Sequence, residues 1–106
     1  MKRKEMINMD CYAKVYIGYE LEENWKDIIP EEYVDENIEY FKILNKYDGE
    51  IYLFAATCDS IECGDFKELK LDVTHKDRKI VNDFYNKFPE ATVVKKPTIY
   101  LAGVIG

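Results

Sequence analysis

The sequence predicts a single α+β domain, with a mostly antiparallel sheet of about five strands and one main amphipathic helix packed on one face. The chain has 106 residues, enough for one hydrophobic core and too few for two. Its nine Tyr and five Phe suit a pleated sheet surface, and residues 74–88 carry apolar side chains at helical spacing. We expect residues 10–106 to form this domain and residues 1–9, which are polar and basic, to form a flexible tail.

The first predicted element is a strand, and an acidic excursion follows it. Over residues 11–21 apolar and polar side chains alternate with a period of two, as in a strand with one core face. In the excursion, residues 22–38, Pro30 separates two short pieces. Asn24 can cap a helix in the first piece, whose apolar side chains recur at helical spacing as Trp25, Ile28 and Ile29. We therefore expect the excursion to be partly helical.

The next strands form a predicted hairpin. Residues 40–46 and 51–58 are rich in aromatic and β-branched side chains and flank Asp48-Gly49, the strongest short-range hairpin signal. Alternation over residues 66–73 predicts a further strand near an edge. The β-rich segments 91–94 and 98–105 complete the predicted sheet. Because the last segment is apolar on both faces apart from Thr98, we expect it in the middle of the sheet.

The main helix is predicted over residues 74–88. Thr74 stands at the N-cap position and Asp77 at the third helical position, close to a capping box. Pro89 ends the helix, because proline cannot continue it. The residues that would face the sheet are Ile80, Val81, Phe84, Tyr85 and Phe88.

Charge is distributed unevenly along the chain. Nine of the twenty residues from Glu20 to Glu39 are acidic and only Lys26 is basic, so this window carries net charge -8 in a chain whose total is -6. We expect the window to dock a protein partner with a basic surface, with carboxylates supplying the field and two aromatic rings supplying anchors. The predicted partner-binding residues are Glu22, Glu23, Trp25, Asp27, Glu31, Glu32, Tyr33, Asp35 and Glu36. A solvated face that keeps a small protein in solution is the other interpretation.

Catalytic and cofactor motifs are missing from the sequence. The five glycines stand apart, so the chain has no glycine-rich phosphate loop, and it has no calcium loop of the D-x-[DN]-x-[DN]-G type. The basic residues are scattered, and the negative net charge opposes direct nucleic-acid binding. We therefore predict a non-catalytic protein-interaction module with no catalytic residues, no metal site and no cofactor.

Three cysteines and one histidine carry the alternative chemistry: Cys11, Cys58, Cys63 and His75. Four residues separate Cys58 from Cys63 and a second close pair is missing, a spacing that fits zinc poorly. An odd number of cysteines without an export signal favours reduced thiols. The alternative function is a small-ligand-binding or thiol-dependent enzyme domain with a pocket between the sheet and the excursion.

The cellular location and the origin of the protein are predicted from its apolar stretches and its Lys content. The amino terminus lacks the apolar run of a signal peptide, and the longest apolar stretch, residues 98–106, is shorter than the roughly 20 residues of a membrane-spanning helix, so we expect a cytoplasmic protein. Thirteen Lys against two Arg is typical of AT-rich genomes, such as those of low-GC bacteria and their phages. Together with the charge layout and the missing catalytic motifs, this leads us to expect a small phage-type or mobile-element inhibitor or adaptor. If residues 98–105 form an edge strand, we expect a homo-oligomer through it.

Overall fold

The computed structural model of the protein describes residues 11–46, 48–62 and 68–105, so the predicted tail lies outside the described residues. The described strands are β1 (Cys11–Glu20), β2 (Phe41–Lys46), β3 (Gly49–Glu62) and β4 (Thr98–Ile105). The α-helices are α1 (Trp25–Ile28), α2 (Glu31–Glu36) and α3 (His75–Lys87), with short 3-10 helices at Ile38–Tyr40 and Pro89–Ala91. The predicted α+β class is confirmed.

The four strands form one antiparallel sheet in the order β2-β3-β1-β4. β2 and β3 form the hairpin predicted at Asp48-Gly49, and Gly49 has the positive φ of 154° that favours glycine. Among the described strands, β4 pairs with β1 alone and lies at an edge of the sheet, not in its middle. That expectation was wrong because apolar side chains on both faces do not by themselves determine strand order.

The described sheet has four strands, so the prediction of about five is not confirmed. Residues 68–73 have no regular structure, and residues 66 and 67 of the predicted strand lie outside the described residues. Aspartate side chains accept the backbone N–H groups of this segment, from Lys70 to Asp59 at 2.8 Å and from Val73 to Asp72 at 2.9 Å. In segment 91–94 only one isolated bridge forms, between Leu21 and Thr92.

Helix α3 packs across β3 and β1 on one face of the sheet. Its first turn is capped by Thr74, whose hydroxyl accepts the backbone N–H of Asp77 at 3.1 Å. The ring of Phe84 stacks on Phe54 of β3 with centroids 4.0 Å apart, and Tyr85 stacks on Tyr19 of β1 at 4.9 Å. These stacked rings fix the helix against the two central strands.

β1 and β3 approach closely and irregularly. Val15 pairs with Asp59 and the next residue of β1 pairs with Thr57, so Cys58 is the extra residue of a β-bulge. At Gly18 an added Cβ would lie 2.2 Å from the carbonyl oxygen of Phe54, so a side chain there would force the strands apart.

On the face opposite α3, a smaller cluster of buried side chains consists of Tyr16, Leu53 and Ala55.

Candidate functional site

The acidic excursion forms the two short helices α1 and α2, which pack against the sheet through Trp25 and Tyr33. Pro30 separates them as predicted: α1 ends at Ile28, and the carbonyl oxygen of Pro30 accepts the N–H groups of the first turn of α2. Asn24 occupies the N-cap position of α1 without a side-chain capping bond. Burial of Ile29, which is 3% exposed, ties the junction of the two helices to the core.

The carboxylates of the excursion point into solvent. All seven acidic residues predicted to bind a partner are exposed, namely Glu22, Glu23, Asp27, Glu31, Glu32, Asp35 and Glu36. Within the part of the chain that the structure describes, the ion pairs join other residues, Arg78 with Asp72 and Lys79 with Asp83. The negative field of the seven carboxylates is therefore not cancelled by close contacts with described cations. We call these seven residues the acidic surface.

The two predicted aromatic anchors pack into the core instead of projecting from the surface. Trp25 is 7% exposed, and its ring lies 5.3 Å from Phe41 and 5.8 Å from Tyr52. Tyr33 is half-buried and meets Phe88 edge to face at 5.0 Å. The rings hold α1 and α2 on the sheet, so the acidic surface depends on them for its position.

A cavity of about 260 Å³ opens between α1 and α2. Its apolar lining comes from Trp25, Ile29 and Val34, and its charged lining comes from Lys26 and Glu31. The ammonium group of Lys26 lies 5.6 Å from the centroid of the Trp25 ring, within cation–π range. Trp25 thus contributes to this surface as the wall of a cavity, an arrangement that the sequence did not reveal. We call it the α1–α2 cavity.

A second, more polar cavity of about 320 Å³ lies beside the first turn of α3, lined partly by Tyr40, Lys42 and Asp77. The hydroxyl of Tyr40 donates to the carboxylate of Asp77 at 2.6 Å. Burial, this hydrogen bond and the nearby negative charges raise the pKa of Tyr40 to about 12. The hydroxyl therefore stays protonated at neutral pH and serves as a donor, not as a general base.

Sequence reasoning missed this cavity, because nothing local links Tyr40 with Asp77, which is 37 residues away. The sequence places Asp77 only at the third position of the helix, close to a capping box. Lys42 also lies here: its ammonium group donates to the carbonyl oxygen of Glu39. Burial, and then the positive charge of Lys14, lower the pKa of Lys42 from its ordinary value.

The thiol chemistry of the alternative function finds little support at Cys58. This side chain is half-buried on β3, where burial first and then the carboxylates of Asp72 and Asp59 raise the pKa of its thiol. A raised pKa keeps the thiol protonated and weakly nucleophilic at neutral pH. His75 is exposed at the start of α3. Cys63 and the side chain of Cys11 lie outside the described residues.

Comparison with known proteins does not decide between the interaction module and the alternative ligand-binding or thiol-dependent function. No protein-family model, no curated protein and no solved structure matches the chain. Among the described residues, no group of three or more His, Cys, Asp or Glu side chains is arranged to hold a metal ion. The described helices are also too short or too polar to cross a membrane. The acidic surface and the α1–α2 cavity are therefore the features of the described residues that bear on function.

Proposed function

We propose that the protein is a non-catalytic protein-interaction module that docks a basic partner on its acidic surface. The observation that carries this proposal is the set of seven exposed carboxylates without close ion pairs to described cations. Unpaired surface charge of one sign steers a partner of opposite sign and contributes to its selection. A small inhibitor or adaptor of phage-type or mobile-element origin fits this mode of action.

The α1–α2 cavity adds a specific feature to the electrostatic attraction. A volume of about 260 Å³ lined by Trp25, Ile29 and Val34 suits one aliphatic side chain, and Glu31 at its lining suits a neighbouring cation. The preferred partner segment is therefore a basic stretch with one apolar residue among its Lys or Arg residues. In this mode of binding the anchoring side chain is an apolar residue of the partner that enters the cavity. Trp25 and Tyr33 do not protrude from this protein as anchors.

A basic peptide tests the proposal directly. The probe is acetylated and amidated Lys-Lys-Leu-Lys-Lys, and its control has Ala in place of Leu with the same charge. Trp25 is the only tryptophan in the chain and lines the cavity, so its fluorescence reports binding at this place. We expect the Leu peptide to shift the emission and to bind about tenfold more tightly than the Ala peptide, since burying three more carbons contributes about 1.4 kcal/mol or more.

Two variants of equal net charge locate the binding surface. The test variant is Glu31→Gln, Glu32→Gln and Glu36→Gln, and the control variant changes the exposed Glu62, Glu68 and Glu90 to Gln. Each variant loses three negative charges from the total of -6. We expect the test variant to raise the Kd of the Leu peptide about tenfold, at about 0.5 kcal/mol per charge, and the control variant to change it much less. Equal weakening in both variants, or no fluorescence change, would contradict the proposal.

A further inference from the structure

The edge strand β4 is a second interaction surface, separate from the acidic surface. Among the described residues β4 pairs with β1 alone, so the backbone N–H and C=O groups of its other side face away from the sheet. Unpaired groups along an edge can pair with another strand. The two edges of this sheet differ in how far they discourage such pairing.

The edge strand β2 carries the features that protect an edge, and β4 lacks them. β2 has six residues, and two of them, Lys42 and Lys46, are positively charged. Charged side chains and short length are common devices against edge-to-edge pairing. β4 has eight residues, Thr98–Ile105, and none of them is charged. Its sequence therefore permits pairing along its whole length.

Apolar side chains also remain exposed on β4. Leu101 is 67% exposed and Ile99 is 48% exposed. Both lie on the face that carries α3, because Ile99 pairs with Ile17 and Leu101 pairs with Val15. Ile17 lines a groove of about 260 Å³ between this part of the sheet and α3. Ile99 thus lies beside Ile17 on this face, next to a groove whose lining also includes the charged side chains of Asp72 and Arg78.

We propose that β4 pairs antiparallel with β4 of a second copy of this chain, so that two four-stranded sheets join across a two-fold axis. A register centred on Leu101 places this residue opposite its own copy and pairs residues 98–104 of both chains. Paired residues in an antiparallel ladder share a face, so Leu101, the most exposed large apolar side chain among the described residues, becomes covered by its copy.

Charge favours a second copy over a charged partner. An uncharged strand meets an identical uncharged strand without like charges in the ladder. The acidic surface does not oppose this arrangement, because α1 packs through Trp25 on Phe41 of β2 and Tyr52 of β3. Pairing through β4 therefore places the β2 edges, with their acidic excursions, toward the two ends of the joined sheet.

Mass measurement in solution tests the proposal with a matched control. Sedimentation equilibrium of the wild-type chain, of mass 12.5 kDa, should give twice that mass with a concentration-dependent monomer fraction. Leu101→Lys should give the monomer mass, since two ammonium groups would then face each other. Ile43→Lys, at a residue of similar exposure (60%) on the other edge strand, should remain a dimer. Circular dichroism spectra of both variants, compared with the wild type, check that they are folded.

Mixing two charged variants tests the register. Leu101→Asp and Leu101→Lys should each be monomeric alone, while their mixture should recover the dimer mass because opposite charges then lie across the two-fold axis. A monomeric wild type at all concentrations overturns the proposal. So does equal loss of the dimer in Leu101→Lys and Ile43→Lys. A mixture that stays monomeric overturns the Leu101-centred register.

Discussion

At the scale of single residues, the stacked rings of Phe54 and Phe84 join the helix to the sheet. Both side chains are completely buried, and their planes lie 10° apart with centroids 4.0 Å apart. Phe41 meets Phe54 edge to face at 5.0 Å, and Tyr33 lies 6.1 Å from Phe84. The same pair of rings therefore supports β2, β3, α2 and α3.

Replacing Phe84 with Ala should lower the free energy of unfolding by about 3–5 kcal/mol, because it removes a buried ring and leaves a cavity that the sheet cannot fill. Urea unfolding followed by circular dichroism measures the change. Asn86→Ala, at an exposed position of the same helix, is the control and should stay within about 0.5 kcal/mol of the wild type. A loss below about 1 kcal/mol for Phe84→Ala would show that the ring pair does not hold the core.

The hydrogen bond from Tyr40 to Asp77 makes stability depend on pH in the alkaline range. The pKa of Tyr40 rises from 10.0 to about 12 on folding, so the folded state holds this proton more tightly than the unfolded state. The stabilisation is complete below pH 10 and is lost as the pH rises toward about 12. Tyr40→Phe removes this titration.

We compare the unfolding free energies of the wild type and Tyr40→Phe over this pH range. Their difference isolates the contribution of the Tyr40 hydroxyl, because all other groups titrate in both proteins. We expect the difference between the two proteins to be constant below pH 10 and to shrink above it. Asp77→Asn keeps an acceptor for the Tyr40 hydroxyl but removes a negative charge that raises the pKa of Tyr40. In this variant the pH range over which the stabilisation is lost should therefore be narrower. Parallel curves for wild type and Tyr40→Phe up to pH 12 would mean that the hydroxyl titrates normally.

At the scale of elements, local signals predicted some boundaries well and others poorly. The main helix, His75–Lys87, lies inside the predicted range. Its start was predictable because the cap joins two residues only three positions apart, Thr74 and Asp77. Alternation over residues 66–73 predicted a strand, but residues 68–73, the described part of this segment, form none. A strand also needs a neighbouring strand to pair with its backbone N–H and C=O groups. Asp59 accepts the N–H of Lys70 instead.

Thr74→Ala should cost about 1 kcal/mol of unfolding free energy, since the N–H of Asp77 loses the hydroxyl that accepts it at 3.1 Å. Thr74→Ser keeps the hydroxyl and should differ from the wild type by a few tenths of a kcal/mol. Thermal and urea unfolding of the three proteins measure both effects. Equal stability of the Ala and Ser variants would show that the cap contributes nothing.

At the scale of the whole molecule, charge and apolar surface occupy different parts of the sheet. α1 packs over β2 and β3 through Trp25 and brings exposed carboxylates with it. β4, two strands away from β3, has no charge and exposes Leu101. This separation permits the two proposed interactions, with a basic partner and with a second copy, to occur on one molecule without competing.

The sequence by itself determined what depends on neighbours along the chain: the net charge of -8 in the window from Glu20 to Glu39, the Asp48-Gly49 hairpin and the Thr74 cap. Only the tertiary structure decided that Trp25 is a buried cavity wall and that β4 is an edge strand. The physical reason is that burial and strand order depend on contacts between distant segments, such as Trp25 with Phe41 and Tyr52, for which the sequence pattern carries no local signal.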